Sequence, residues 1–123
     1  MNAVMTNSTS EFHKAVVALE AVLRLPENDV IRDATIQRFE FCVELAWKTS
    51  KKIMGTATTA PKQVIREMAQ NGFISDVPLW LEAIEMRNLS SHTYDEALAL
   101  KVFEFVRSFA PQFRALLSKL SST

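Results

Sequence analysis

Apolar side chains recur every three or four positions along most of the chain, and this spacing constrains the fold more than any other feature. Near the C-terminus the recurring positions are Val102, Val106, Phe109, Phe113, Leu116 and Leu120. Such spacing places apolar side chains on one face of an α-helix, whereas a half-buried β-strand would alternate apolar and polar residues. No alternating segment competes, and only two glycines occur among the 123 residues. The sequence therefore predicts an all-α fold.

Prolines, glycines and capping patterns divide this chain into about five helices. The predicted helices run from about Ser8 to Leu25, from Asp29 to Met54, from Pro61 to about Asn71, from Asp76 to about Ser91, and from Thr93 to Leu120. The Ser8–Glu11 and Thr93–Glu96 pairs have the spacing of a capping box, in which two side chains satisfy free backbone N–H groups. Pro111 removes one backbone hydrogen bond and predicts a kink in the last helix. The expected architecture is an antiparallel helical bundle of about five helices.

The second predicted helix has a wider apolar face than a thin bundle needs. Its main stripe comprises Ile36, Phe39, Val43, Ala46 and Ile53. Phe41 and Leu45 widen this face, and the last helix is similarly rich in large apolar side chains. Apolar surface that one bundle cannot cover predicts association with a second copy. We therefore expect a homodimer.

Charge and cysteine content narrow the possible functions. Fourteen basic and fourteen acidic residues cancel, so the chain lacks the positive balance of proteins that coat nucleic acid. Any contact with RNA must therefore be local. Cys42 is the only cysteine, so no internal disulfide framework indicates secretion, and a reducing cytoplasm is expected.

Length and hydropathy favour one domain that does not enter a membrane. A chain of 123 residues can bury a substantial core as one unit, which predicts a single domain over residues 1–123 with an ordered core of about 8–120. The Ser/Thr-rich ends are expected to fray. Charged residues interrupt every apolar stretch before it reaches the roughly twenty residues of a membrane span. The segment from Met1 to Ser10 lacks the pattern of a signal peptide.

A polar string lies where the fourth predicted helix ends and the fifth begins. It reads Arg87-Asn88-Leu89-Ser90-Ser91-His92-Thr93-Tyr94. In an unbroken helix, His92 would point about 140° away from Arg87, at about 100° per residue. A break near Ser91 would change that direction. The string offers a permanent cation and an imidazole, and these groups suit a ligand that bears phosphate.

These groups also match the needs of RNA cleavage without a metal ion. When the 2′-hydroxyl attacks the adjacent phosphorus, one group must move protons and another must stabilise charge on the phosphoryl oxygens. His92 suits proton transfer, and Arg87 suits charge stabilisation. Asn88 and Ser91 are candidate substrate-binding residues. Tyr94 could stack on a base, donate a hydrogen bond or itself be modified.

A structural role for the same residues is the alternative. Arg87 could pair with Glu82, Glu85 or Asp95 on a solvated face, and His92 could be satisfied by backbone carbonyls. In a chain with two histidines, an arginine five residues before one of them would arise by chance in roughly one sequence of ten. The spacing alone therefore leaves both interpretations open.

Other candidate sites are weaker. Glu40 and Glu44 lie one helical turn apart, but no histidine stands at metal-ligand spacing from them, so neither a metal site nor a cofactor is predicted. Trp47 and Trp80 fall in apolar stripes and are predicted to anchor the core.

The Arg-x4-His-x-Tyr pattern of Arg87, His92 and Tyr94 resembles the signature of HEPN domains. The similarity is to the branch of nucleotidyltransferase substrate-binding proteins, or HepT-like toxins. Three blocks share it, namely Gln37-Arg38-Phe39-Glu40-Phe41 with Glu44-Leu45-Ala46-Trp47-Lys48, Pro61-Lys62-Gln63-Val64-Ile65-Arg66-Glu67, and Arg87 through Glu96. The resemblance extends from about Ser10 to Leu120.

This resemblance implies an antiparallel helical homodimer in which two Arg–His sets face one composite cleft. It also implies a separately encoded minimal nucleotidyltransferase as partner. In the toxin branch, the cleft cuts RNA without metal, and the partner acts as antitoxin by transferring AMP to the tyrosine, here Tyr94. In the alternative branch, the chain is a non-catalytic subunit that binds the substrate or nucleotide of a two-protein nucleotidyltransferase. Both branches use the same residues.

Overall fold

The computed structural model describes residues 7–122, which fold into five α-helices. Helix α1 spans Asn7–Leu23, α2 spans Asp29–Met54, α3 spans Pro61–Gln70, α4 spans Val77–Leu89 and α5 spans Glu96–Ser121. A short 3-10 helix, Ser90–His92, connects α4 to α5. No strand occurs among the described residues, and the predicted all-α bundle is confirmed. The predicted fraying of the ends falls largely on residues 1–6 and 123, outside the described residues.

The bounds of α2 follow from local chemistry at both ends. The side-chain oxygen of Asn28 accepts a hydrogen bond from the N–H of Ile31 at 2.8 Å and so caps the start of the helix. Gly55 ends the helix in the left-handed region, with φ of 67°, where a side chain would add strain. Its N–H donates to the carbonyl oxygens of Lys51 and Lys52. The prediction for this helix is confirmed at both ends.

Both predicted capping boxes are wrong. Ser8 lies inside α1, which already includes Asn7, and its hydroxyl accepts a hydrogen bond from Lys52 Nζ at 2.8 Å. Thr93 precedes α5 without capping it. Asp95 caps that helix instead, because its carboxylate accepts from the N–H groups of Ala97 at 3.0 Å and Leu98 at 3.3 Å.

The core is centred on aromatic rings of α5, which contact aromatic rings of α1, α2 and α4. Phe113 is fully buried, and its ring lies 5.0–6.4 Å from the rings of four other residues, Phe12, Phe39, Trp80 and Phe109. The apolar stripe predicted for α5 is buried at every position, so this part of the prediction is confirmed. Phe41, predicted to widen the apolar face of α2, is 55% exposed. Pro111 lies inside α5 without ending it.

Helix α2 is central and packs against each of the other four helices. Two side chains show its direction relative to α1. The Thr49 hydroxyl, near the end of α2, donates to the carbonyl of Ser8 at the start of α1. Arg38 donates to the carbonyl of Ala18 at 2.7 Å. The two helices are therefore antiparallel.

Among the described residues, no helix has the length and apolar content to cross a membrane.

Candidate active site at the α4–α5 junction

The chain changes from α-helical to 3-10 winding at Ser90, close to the predicted break. The N–H of Ser90 donates to the carbonyl of Met86 and closes the last turn of α4. After the 3-10 turn, the N–H of Asp95 donates to the carbonyl of His92 at 3.1 Å. These bonds hold the polar string in a compact turn. Because the turn lies at a rim of the bundle, its side chains can reach solvent.

His92 and Tyr94 meet on this rim. The Tyr94 hydroxyl lies 3.4 Å from Nδ1 of His92, and the two rings approach edge to face with centroids 5.9 Å apart. Both side chains are exposed, Tyr94 at 86%. The imidazole and the phenol are therefore adjacent and open to a bound molecule.

Arg87 contacts helix α2 instead of the nearby acids expected in the structural alternative. Its Nε donates to Oε1 of Glu44 at 3.0 Å, and the other oxygen of Glu44 lies 3.2 Å from Lys48 Nζ. The structural alternative offered Glu82, Glu85 or Asp95 as partners, but the Arg87 side chain points from α4 across to α2 and pairs with Glu44. Glu85 pairs with Lys62.

The two serines of the string have different environments. Ser90 is buried, and its hydroxyl lies 2.5 Å from both Oε2 of Glu40 and the carbonyl oxygen of Arg87. Ser91, the predicted substrate-binding residue, is exposed and donates to the carbonyl of Asn88 at 3.0 Å. Asn88 is exposed as well. Both candidate substrate-binding residues are therefore accessible, while Ser90 belongs to the support beneath them.

Sequence reasoning missed Glu40, Glu44 and Ser90 as parts of this region. Glu40 and Glu44 lie one helical turn apart, which places both carboxylates on one face of α2. From the sequence alone, we considered this pair of carboxylates only as possible metal ligands. In the structure each carboxylate binds a residue of the α4 end instead. Among residues 7–122, no group of three His, Cys, Asp or Glu side chains is arranged to hold a metal ion.

A groove of about 640 Å³ lies beside these contacts, between α2 and the junction. It is lined by Asp33, Ala34, Ile36, Gln37, Glu40, Ser90, Thr93 and Tyr94. The charged side chains in this lining, Asp33 and Glu40, are both acidic, so the groove repels phosphate groups. Tyr94 thus has an acidic groove on one side and His92 on the other.

Both tryptophans were predicted to anchor the core, and they differ in burial. Trp80 is buried and anchors the core as expected, whereas Trp47 is only partly buried, with an indole N–H that lacks a partner among the described residues. Cys42 is buried in α2, and burial raises the pKa of its thiol to about 12. This thiol is therefore not a nucleophile at neutral pH.

Residues 7–122 match the model of a family described as nucleotidyltransferase substrate binding protein like. The chain belongs to this family. The probable ribonuclease HepT of Haemophilus influenzae is 31% identical over 100 residues, which cover 75% of this chain and 68% of that protein. The resemblance to HEPN and HepT-like proteins seen in the sequence is confirmed.

Solved structures of similar proteins share the family fold. A Thermus thermophilus protein matches with a TM-score of 0.80 and 33% identity, covering 89% of this chain and 98% of its own. A Haemophilus influenzae protein, whose structure was described as the fold of a substrate binding domain of a nucleotidyltransferase, matches with a TM-score of 0.81 and 26% identity. That match covers 91% of this chain and 98% of the other. The helical architecture is therefore that of the family.

Proposed function

We propose that this family member is a metal-independent endoribonuclease toxin of a two-component toxin–antitoxin system in the cytoplasm. The observation that carries the proposal is the exposed junction, where His92, five residues after Arg87, contacts Tyr94. The relative named as a probable ribonuclease supports RNA as the substrate. The family description supports a nucleotidyltransferase as the partner.

In the proposed reaction, the 2′-oxygen of one nucleotide attacks the neighbouring phosphorus, and the bond from phosphorus to the 5′-oxygen breaks. His92 accepts the 2′-hydroxyl proton, or delivers a proton to the departing 5′-oxygen. One imidazole cannot perform both transfers at once, so a second copy's His92 supplies the other. Arg87 stabilises the charge that gathers on the phosphoryl oxygens. Asn88 and Ser91 contact the RNA.

Tyr94 is the proposed site of silencing by the partner. Its phenol oxygen attacks the α-phosphorus of ATP, pyrophosphate leaves, and the tyrosine becomes an AMP ester. An exposed hydroxyl is accessible to such a transferase. The product places a negative phosphodiester and a bulky adenosine next to His92, which opposes RNA phosphates by charge and by volume.

RNA cleavage in the presence of EDTA tests the proposal. Wild type is expected to cut RNA and to slow the growth of cells that lack the partner. Arg87→Ala and His92→Ala should each lower cleavage, the histidine change by about 10²–10⁴-fold because proton transfer is lost. Tyr94→Phe should still cut RNA but resist modification by the partner. A wild-type protein that neither cuts RNA nor slows growth would contradict the proposal.

We also propose a homodimer, formed through the exposed apolar side chains of α2. Val30 is 73% exposed and Phe41 is 55% exposed on this helix, and such side chains favour contact with another surface. Light scattering should give the mass of a dimer at micromolar concentration, and Phe41→Glu should shift the protein toward monomer. Lys101→Glu on α5 is a control that should leave the dimer intact. A strictly monomeric wild type would remove the composite cleft.

The alternative function is that of a substrate-binding subunit of a two-protein nucleotidyltransferase. The structural neighbour described as such a substrate binding domain favours it. Under this alternative, the chain would leave RNA intact but would bind nucleotide or stimulate the partner's transferase activity. Copurification of a nucleotidyltransferase fits both functions, so the cleavage assay separates them.

A further inference from the structure

Helix α2 presents two carboxylates to the end of α4 that carries the proposed active site. We infer that Glu44 and Glu40 are positioning residues, Glu44 for the Arg87 guanidinium and Glu40 for the turn that leads to His92. This inference rests on the proposed function, because it assigns roles in that reaction. Neither carboxylate needs to touch the RNA.

Glu44 binds Arg87 in a way that leaves room for a phosphate. The hydrogen bond uses only Nε of the guanidinium, at 3.0 Å from Oε1. No hydrogen bond among the described residues uses the two terminal nitrogens of Arg87. A guanidinium can bind a second anion through that free edge. Because Arg87 would otherwise sample many rotamers, a fixed Nε reduces the entropy lost when the phosphate binds.

Glu40 lies one helical turn before Glu44 on α2 and contacts the first residue of the 3-10 turn. Its Oε2 lies 2.5 Å from the hydroxyl of Ser90, which is only 5% exposed and also touches the carbonyl oxygen of Arg87. Ser90 is the first residue of the 3-10 turn that ends at His92. Glu40 therefore ties α2 to the start of the turn from which the imidazole projects.

An opposite role for Glu44 has to be separated from positioning. A carboxylate beside Arg87 resembles a phosphate in charge, so Glu44 could compete with RNA for the guanidinium. Positioning and competition predict opposite effects when the carboxylate is removed. Removal of a positioning residue lowers kcat, the rate of cleavage in the bound complex. Removal of a competitor instead raises the apparent affinity for RNA.

The experiment compares kcat and KM for RNA cleavage in EDTA by wild type, Glu44→Ala, Glu44→Gln and Glu40→Gln. Glu44→Ala should lower kcat by roughly 10-fold to 100-fold, as expected when a catalytic group is slightly misplaced. Glu44→Gln should retain more activity because its amide oxygen can still accept from Nε. The matched control is Glu85→Gln, which removes a carboxylate of α4 that pairs with Lys62 and should change kcat by no more than about twofold.

Two results would overturn the inference. A lower KM with unchanged or higher kcat in Glu44→Ala would make Glu44 a competitor, and values equal to those of wild type would make it a bystander. Circular dichroism and thermal unfolding verify that each variant is folded. If Glu44→Ala does not fold, Glu44→Leu takes its place, because leucine also removes the acceptor but keeps more of the side-chain volume.

A second readout does not depend on catalysis. In ¹⁵N NMR spectra, the Nε–H of Arg87 should give a resolved signal that is protected from exchange in wild type and lost in Glu44→Ala. Arg87→Ala assigns this signal. If wild type fails to cut RNA but the protected signal is present, the proposed function fails while the positioning contact stands. If the signal is equally unprotected in wild type and Glu44→Ala, the inference fails whatever the activity.

Discussion

The aromatic core on α5 and the α4–α5 junction that precedes this helix differ in burial and in contacts. Phe113 of α5 is completely buried against four aromatic rings. Tyr94, two residues before α5, exposes 86% of its surface and has its ring against that of His92. Residue types in the core are constrained by packing. The exposed residues of the junction, such as His92 and Tyr94, are free of that constraint, which makes them candidates for function.

Helix α2 serves both regions at once. One of its faces carries Phe39, fully buried, into the core. Another face carries Glu40 and Glu44, which bind Ser90 and Arg87 at the junction. The junction therefore exposes His92 and Tyr94 to solvent, while α2 contacts Arg87 and Ser90. A site of this kind can present polar groups to a ligand without giving up a defined geometry.

The largest expected difference between the regions is in stability. Phe113→Ala should lower the free energy of unfolding by about 3–5 kcal/mol, because it removes a ring from a close-packed cluster and leaves a cavity. Tyr94→Ala removes an aromatic ring at the junction and should change the same quantity by less than about 0.5 kcal/mol. Urea denaturation of both variants measures the contrast. Similar losses in the two variants would show that the junction contributes as much to stability as the core.

An intermediate effect is expected at the boundary between the regions. Asp95 caps α5 through the N–H groups of Ala97 and Leu98, so Asp95→Ala should cost about 1 kcal/mol of stability. Asp95→Asn is the matched control, because asparagine caps helices about as well as aspartate. Thermal unfolding measures both variants. An Asp95→Ala protein as stable as wild type would show that the start of α5 does not depend on this cap.

The smallest effect is expected at an ion pair remote from the junction. Arg114 donates two hydrogen bonds to Glu20 and lowers the pKa of that carboxyl below its ordinary value of 4.5. A carboxyl whose pKa is lowered on folding stabilises the protein above its unfolded pKa, and this contribution disappears as the pH falls through the folded pKa. Because the pair is partly solvent-exposed, Glu20→Gln should cost no more than about 1 kcal/mol at pH 7.

Denaturation at several pH values measures this dependence. The difference between wild type and Glu20→Gln should be constant near neutrality and should shrink as the pH falls below 4.5, the ordinary pKa of the carboxyl. Glu104→Gln, at an exposed pair with Arg107, is the control with little expected change at any pH. A gap that grew on acidification would contradict the assignment.

The helices could be predicted from sequence because apolar spacing reports burial directly. The prediction for helix α2 matches its observed ends, Asp29 and Met54. The helix caps were harder, since several residues near a helix start can each accept a backbone N–H. Near the start of α5, both Thr93 and Asp95 have a side-chain oxygen that can accept a backbone N–H. The conformation of the turn places Asp95, not Thr93, at the capping position. Apolar spacing could not show which residues that widen the face of α2 are covered by the bundle, and Phe41 is left 55% exposed.

The local part of the candidate site could be proposed from sequence, because Arg87, His92 and Tyr94 stand within eight consecutive residues. The structure adds the contact between His92 and Tyr94. The support from α2 could not be predicted. Glu44 lies 43 residues from Arg87 in sequence, and no periodicity within one helix indicates which partner lies across from it.

In the proposed function, the junction holds the catalytic groups, while the aromatic core stabilises the fold. The most direct test measures RNA cleavage in EDTA and the free energy of unfolding on the same preparations of wild type and His92→Ala. Cleavage should fall by about 10²–10⁴-fold, while the free energy of unfolding should change by less than about 0.5 kcal/mol. A wild type that does not cut RNA, or a His92→Ala protein that cuts it equally fast, would contradict the claim.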